Sequence, residues 1–229
     1  MVDTIGITTA RANSSSVPHK NTVMVAGKPL IAWTFDEVKK CKGIGRYFVF
    51  TDDDEVKFLA HQRDVEVIDE PEDLAKGDVG PTELLGYVMD HIDHPTNCLV
   101  ADIRATNPTK IALDIDGMIN DITYDPSSDM ICGVTRVFDH HPSRIKQVVG
   151  GYLADFFPET SDQRQYLFPV AYVRNGSAYV LRYSGLIGGV NQRTSKKIKP
   201  WIMPPERSVN IDEPADVLVA EYFLRQRNG

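Results

Sequence analysis

The sequence predicts an α/β fold: a mostly parallel sheet with helices on both faces, carrying a small excursion near residues 139–169. Three observations lead there. Between residues 5 and 137, short runs rich in β-branched and aromatic residues alternate with stretches whose apolar residues recur at helical spacing. Such alternation marks strand–helix–strand units, which build a parallel sheet covered on both sides. Polar loops at 11–21, 52–54 and 104–110 each leave a strand, and ligands bind beyond the carboxyl ends of such strands. After Val137 the alternation stops.

The elements follow in order. Residues 5–9 are a β-rich opening run. A polar loop over 10–21 leads to the apolar residues 23–26, the turn Gly27-Lys28-Pro29 and an apolar start at Leu30. Residues 31–40 read as a helix with Ile31, Phe35 and Val38 on one side. A strand over 47–50 ends at Thr51-Asp52-Asp53-Asp54, a helix follows over 55–63 and a short strand over 65–68. Residues 70–81 form a loop rich in Asp, Glu, Gly and Pro, and 82–89 a helix. Then come a strand at 98–103, the loop 104–110, a helix at 111–121 and a strand at 130–137. Residues 139–169 carry turn signals and short apolar pieces such as Val148-Val149 and Phe156-Phe157-Pro158. The chain returns through a strand at 179–183 and Trp201-Ile202-Met203. A last helix spans 213–225, with Asp212 or Glu213 near its N-cap and Pro214 in its first turn. The expected division is an α/β domain of residues 1–138 and 170–229 with 139–169 inserted as a dimerisation arm. An isolated arm would expose its aromatics, so it packs on a partner or, in the alternative reading, within its own chain.

Composition narrows the function. The formal net charge of -7 argues against a general nucleic-acid binder, which needs a basic footprint. A small anion held by a local basic cluster remains compatible with it. Three widely spaced cysteines, Cys41, Cys98 and Cys132, suggest a reducing compartment rather than a disulfide framework. With no signal peptide and no apolar run of membrane-spanning length, the expectation is a cytoplasmic protein without a membrane partner.

The loop at 10–21 holds Arg11 and Lys20 among small polar residues, including Asn13, Ser14, Ser15 and Asn21. Small residues let backbone N–H groups approach an anion and the cations neutralise it, so the loop reads as a cradle for a polyphosphate or as a solvated connection. It is not a Walker A motif. Near the end of the chain, Asn210 and Asp212 lie two apart and point the same way in an extended chain. Their oxygens suit a hard cation such as Mg²⁺; a helix cap would also explain Asp212. Asp102 shares a strand face with position 104 and is a further cation ligand or an ion-pair partner of Arg104. The pairs His140/His141 and His91/His94 lack a third ligand and read as structural or solvated.

Taken in order, six motifs resemble those of the acylneuraminate cytidylyltransferases, the CMP-sialic acid synthetase family. The chain has Ala10-Arg11-Ala12-Asn13-Ser14-Ser15-Ser16-Val17-Pro18-His19-Lys20-Asn21 where the family has A-R-G-G-S-K-G-x-P-R-K-N. Residues 26–34 match A-G-K-P-L-I-A-x-T, and Thr51-Asp52-Asp53 matches T-D-D. The loop Arg104 to Lys110 resembles Q-P-T-S-P-L-R. Arg164-Gln165 and Asn175-Gly176-Ser177-Ala178-Tyr179 match R-Q and N-G-x-x-Y, and residues 203–212 match M-P-x-E-R-S-V-D-I-D.

The resemblance implies a Rossmann-like nucleotidyltransferase, with CTP and a nonulosonic acid as substrates, Mg²⁺ as cofactor and a homodimer with shared active sites. It implies that Arg11 and Lys20 hold the triphosphate and that Asn21 touches the nucleoside. Arg104 and Thr106 would meet the sugar acid, whose carboxylate suits an Arg fork. Asn175 and Tyr179 would belong to the sugar site, with Lys146, Arg164 and Gln165 reaching it from a partner's arm. The chain departs from the pattern at Ala12, Asn13 and Ser16 for glycines, Ser15 for lysine, Glu70 for arginine, Arg104 for glutamine and Asn210 for aspartate.

Overall fold

The computed structural model of the chain describes residues 2–12, 17–75, 79–156, 169–191 and 195–228. In chain order its elements are β1 (Thr4–Thr9), β2 (Met24–Val25), β3 (Lys28–Pro29), α1 (Leu30–Val38), β4 (Arg46–Thr51), α2 (Asp54–His61) and β5 (Glu66–Asp69). Then follow α3 (Glu72–Ala75), α4 (Pro81–Asp90), β6 (Leu99–Ile103), α5 (Ala112–Tyr124), β7 (Met130–Val137), β8 (Lys146–Val149) and β9 (Tyr152–Asp155). The chain ends with β10 (Ala171–Arg182), α6 (Tyr183–Ile187), β11 (Ile198–Ile202) and α7 (Pro214–Asn228).

Seven strands form one sheet in the order β11-β7-β10-β6-β1-β4-β5. Every neighbouring pair is parallel except those of β10, which runs antiparallel to both β6 and β7. The centre of the sheet is buried on both faces, which is why all five residues of β6 are buried although one is Asp102. On one face, Val100, Cys132, Tyr179 and Ile7 pack under Leu84, Leu85 and Val88 of α4 and Leu186 of α6. On the other, Leu99, Ala101, Ile103 and Val180 meet Ile115, Met118 and Ile122 of α5, while Phe35 of α1 and Val56 of α2 cover Val49 of β4. The expected two-sided cover is therefore present.

Local sequence explains the entry to α1. Ala26 and Gly27 carry φ of 48° and 82°, so the two-residue turn between β2 and β3 has positive φ at both positions, the twist that suits a tight hairpin. Trp33 then donates from Nε1 to the Val25 carbonyl at 2.9 Å and packs with Leu30, Ile211, Ala220 and Leu224, so α7 lies against α1.

Two expectations need correction. The 70–81 loop contains the short helix α3. The strand expected over 179–183 begins at Ala171, because residues 171–174 pair with the tail of β7 across an irregular register between Arg174 and Tyr179, and α6 starts already at Tyr183. The turn-like residues Asn175-Gly176-Ser177 hid that continuity. The start of α7 lies where expected: its first residue is Pro214, so Glu213 stands at the N-cap, and Asp216 in the first turn reaches back so that its Oδ2 accepts from the backbone N–H of Asp212 and Glu213 at 2.8 and 2.7 Å. Within 139–169, β8 and β9 form a two-stranded sheet of their own, with Val148, Val149, Tyr152 and Leu153 exposed. Among the described residues no helix is long and apolar enough to cross a membrane.

Candidate active site

The polar loop after β1 is tied down by the Thr51-Asp52-Asp53 triplet at the end of β4. Thr51 Oγ1 donates to the Ala10 carbonyl and accepts from Asp53 N–H at 3.0 Å. Asp52 Oδ1 accepts from Ala12 N–H at 2.7 Å. Asp53 caps α2, accepting from the N–H of Glu55 and Val56. Thr51 and Asp52 thus hold the start of the first loop, and Asp53 the start of α2. Asn21 closes the far end of the loop by donating to the Arg11 carbonyl at 2.9 Å.

The two cations of the loop face different carboxylates. Arg11 Nε donates to Glu70 Oε1 at 2.7 Å, just past β5. The Glu70 side chain is fully buried and its Oε2 has no hydrogen-bond partner among the described residues. Burial pushes its carboxyl above the usual range, against the pull of Arg11. Lys20 Nζ lies 3.1 Å from Asp212 Oδ1, linking the first loop to the tail across 192 positions of sequence.

A second arginine–carboxylate pair occupies the carboxyl end of β6. Arg104 Nη2 is 2.7 Å from Asp102 Oδ2 and its guanidinium stands 5.6 Å from the centre of the Tyr179 ring. Asp102 Oδ1 and Arg104 Nε are both buried without a partner among the described residues. Burial raises the Asp102 carboxyl, offset in part by Arg104, and raises the Tyr179 phenol to about 12.

Behind these side chains the loop 104–110 is braced from inside. Asn107, wholly buried, donates to the carbonyls of Asn175 and Arg207 and accepts from the N–H of Thr109 and Lys110. Lys110 Nζ donates to Thr34 Oγ1 and to the carbonyls of Arg104 and Asn107, each at 2.7 Å; burial lowers its pKa to about 7. The tail is fastened to the same loop and to α5: Val209 N–H donates to Thr109 Oγ1, Ile211 N–H to the Thr106 carbonyl, and Arg207 forks onto Asp114 of α5. Asn210 donates to Asp212 and packs on Gly176, whose φ is +62°; a Cβ there would come within 2.1 Å of Asn210 Oδ1.

Four segments therefore meet at the carboxyl edge of the parallel strands: the first loop, the loop after β6, the irregular middle of β10 and the tail before α7. Of the residues singled out from sequence, Arg11, Lys20, Asn21, Asp102, Arg104, Thr106, Tyr179, Asn210 and Asp212 belong to these segments. Asn175 does too, but it is buried and its side chain donates to Ser208 Oγ and accepts from Ser177, so it holds β10 to the tail rather than lining an opening. Lys146 stands on β8, where it pairs with Asp155 across the hairpin. Asn13, Ser14, Ser15, Arg164 and Gln165 lie outside the described residues. His91 and His94 each turn a ring nitrogen to a backbone carbonyl. Sequence reasoning missed Asn107, Lys110 and the Arg207–Asp114 fork; only the polar loop around Asn107 gave a signal.

Among the described residues, no three His, Cys, Asp or Glu side chains gather as a metal cage. The donors that are present are oxygens: the bare Asp102 Oδ1, the bare Asn210 Oδ1 and the Asp212 carboxylate, which is 64% exposed. Such a set suits Mg²⁺, which takes one or two carboxylates and completes its shell with phosphate oxygens and water.

An N-acylneuraminate cytidylyltransferase of Escherichia coli O18:K1:H7 is 22% identical over 226 residues, 98% of this chain and 52% of that protein. A 3-deoxy-manno-octulosonate cytidylyltransferase 2 of Hydrogenovibrio crunogenus is 27% identical over 124 residues, 53% of this chain and 48% of that protein. The chain spans about half the length of these curated relatives. Among solved structures, a CMP:2-keto-3-deoxy-manno-octonic acid synthetase complexed with CTP superposes with a TM-score of 0.74 at 17% identity, over 98% of this chain and 99% of that one, and so shares the fold. The sequence model of the cytidylyltransferases matches residues 5–148, well over half of the chain, which therefore belongs to the cytidylyltransferase family.

Proposed function

We propose that the chain activates a nonulosonic or related 2-keto sugar acid with CTP, giving the CMP-sugar and pyrophosphate. The observation that carries this reading is the ion pair of Lys20 with Asp212, which joins the anion-binding loop to the tail at the carboxyl edge of the sheet. In the reaction the anomeric hydroxyl of the acid attacks the α-phosphorus of CTP, the bond from that phosphorus to its bridging oxygen breaks, and pyrophosphate leaves with the electron pair. Negative charge grows on the departing group, so fixed cations facing it lower the barrier. Arg11 and Lys20 take that role, and Asn21 meets the nucleoside. Arg104 receives the carboxylate of the acid, with Thr106 beside it and the Tyr179 ring as a wall. Asp102 and Asp212, with Asn210, would hold Mg²⁺, which supplies charge neutralisation at the phosphate oxygens.

The acid itself is read at class level. The N-acylneuraminate relative aligns over nearly the whole chain, while the octulosonate relative aligns over about half of it; the first fact favours a sialic-acid-like substrate. We further infer a homodimer, in which the exposed apolar hairpin β8–β9 is buried on a second copy and Lys146, Arg164 and Gln165 serve the partner's site. Three free cysteines fit a reducing compartment such as the cytoplasm. A second reading, a relative that binds nucleotide or sugar acid without turnover, is favoured by one specific fact: both site arginines are already engaged by carboxylates. A screen of nonulosonic acids against the four nucleoside triphosphates, read by Mg²⁺-dependent pyrophosphate release with binding measured alongside, separates the two. Release with CTP supports the first; nucleotide binding with no release in the full screen supports the second.

A further inference from the structure

We propose that Arg104 keeps the cation site closed until the acid substrate arrives, so that the substrate's carboxylate and a divalent cation bind cooperatively. The inference rests on the reading above, in which Arg104 meets the acid and Asp102 the cation. It starts from the depth of the two side chains. The Asp102 side chain is 3% exposed and that of Arg104 is 23% exposed, so an incoming ligand meets the guanidinium before the carboxylate. The pair is joined by one contact, Nη2 to Oδ2 at 2.7 Å, while Arg104 Nε and Asp102 Oδ1 are left buried and bare.

A carboxylate binds arginine best through two parallel N–H···O bonds. A guanidinium offers two such edges, Nε with Nη2 and Nη1 with Nη2, and both include the Nη2 that holds Asp102. A substrate carboxylate that takes either edge therefore competes with Asp102 for that nitrogen. The Tyr179 face, 5.6 Å from the guanidinium, offers the displaced arginine a surface to rest on. Asp102 then has no counter-charge in a buried setting, which is costly. A hard cation removes that cost and finds two carboxylate oxygens instead of one. With the arginine in place, the same cation would bind beside a positive charge. The acid thus tightens the cation, and by linkage the cation tightens the acid by the same factor. Asn210 and Asp212 lie on the tail side of the site and do not contact Arg104 among the bonds described.

Mn²⁺ gives a readout independent of turnover, because its free form is counted directly by electron paramagnetic resonance. The protein is titrated with Mn²⁺ alone and with saturating N-acetylneuraminate or 3-deoxy-manno-octulosonate, whose binding is followed by calorimetry in the same samples, without CTP. The expected result is that a bound acid lowers the Mn²⁺ dissociation constant by about fivefold or more. In Arg104→Gln, Mn²⁺ alone should bind more tightly than in the wild type and the acid should change its affinity by less than about twofold. Asp102→Asn should abolish the acid's effect, which assigns the coupled ion to this carboxylate. An acid that binds without changing Mn²⁺ affinity, or that weakens it, overturns the inference. If pyrophosphate release with CTP is intact in that case, the functional reading stands alone. If neither acid binds, the inference is overturned, and pyrophosphate release in the screen with CTP decides the functional reading separately.

Discussion

Arg11 and Arg104 share a design: each arginine meets a buried carboxylate through one oxygen and leaves the other oxygen bare. A buried acid with an unsatisfied oxygen destabilises a fold, so such groups mark places where binding rather than stability governs the residue. For Arg11 this makes a single substitution ambiguous, since its removal strands Glu70. Arg11→Ala should cost about 3 kcal/mol in denaturant unfolding, and Arg11→Ala with Glu70→Gln should recover much of that loss. CTP affinity should stay more than about tenfold below wild type in both, as expected for loss of a charge-assisted phosphate contact; affinity that returns with stability would show that Arg11 acts only through folding. The pH dependence of Glu70 has a definite sign. Its carboxyl sits above its reference value of 4.5 in the folded chain, so the folded state holds the proton more tightly than the unfolded one. Stability from this group is fully present below 4.5 and is lost as pH rises through the folded value. The melting temperature of Glu70→Gln minus that of wild type should therefore climb as pH rises above the reference value of 4.5, and a falling difference would contradict the assignment. At any single pH the difference also contains the lost ion pair with Arg11, so the slope carries the test.

At the scale of elements, the loop 104–110 is held more firmly than its polar composition suggests, for five of its seven residues are buried. Asn107→Ala removes two donors and an acceptor that serves two N–H groups, and should cost about 3 kcal/mol. Because the loss loosens the loop and the tail together, KM for the acid should rise more than KM for CTP; an equal rise in both would argue that the loop does not meet the acid. This bracing also shows where sequence reading ends. Strands β1, β4 and β6 and their loops were legible because each is announced by its own periodicity and by the punctuation after it, as in Thr51-Asp52-Asp53. The bond from Lys110 to Thr34 spans 76 positions and the fork from Arg207 to Asp114 spans 93, and no local pattern reports such pairs. The early start of β10 was hidden for a related reason: its partner is the tail of β7, and the bulge that admits Asn210 beside Gly176 reads locally as a turn.

For the whole molecule, alternation of strands and helices was enough to predict a mostly parallel sheet covered on both sides, but not the insertion of antiparallel β10 between β6 and β7, which depends on pairing across the full chain. The first loop and the loop after β6 were legible as loops at strand ends, the tail by the spacing of Asn210 and Asp212, and the Asp102–Arg104 pair as one of two readings of residues that share a strand face; the pairing of Arg11 with Glu70 was not. The hairpin β8–β9 leaves Val148 and Leu153 exposed as a cross-strand pair. Sedimentation should find a dimer, and Val148→Asp with Leu153→Asp should shift it to monomer while the α/β body keeps its cooperative melt. A wild-type monomer at working concentration would remove the dimer from this account. The central claim is transfer of CMP to a sugar acid, and identification of the product by mass spectrometry tests it most directly. With CTP, Mg²⁺ and N-acetylneuraminate or 3-deoxy-manno-octulosonate, the account predicts a CMP–sugar conjugate and one pyrophosphate for each conjugate formed. CTP that binds and is returned intact with every acid offered, or pyrophosphate released with only free CMP beside it, would contradict the claim.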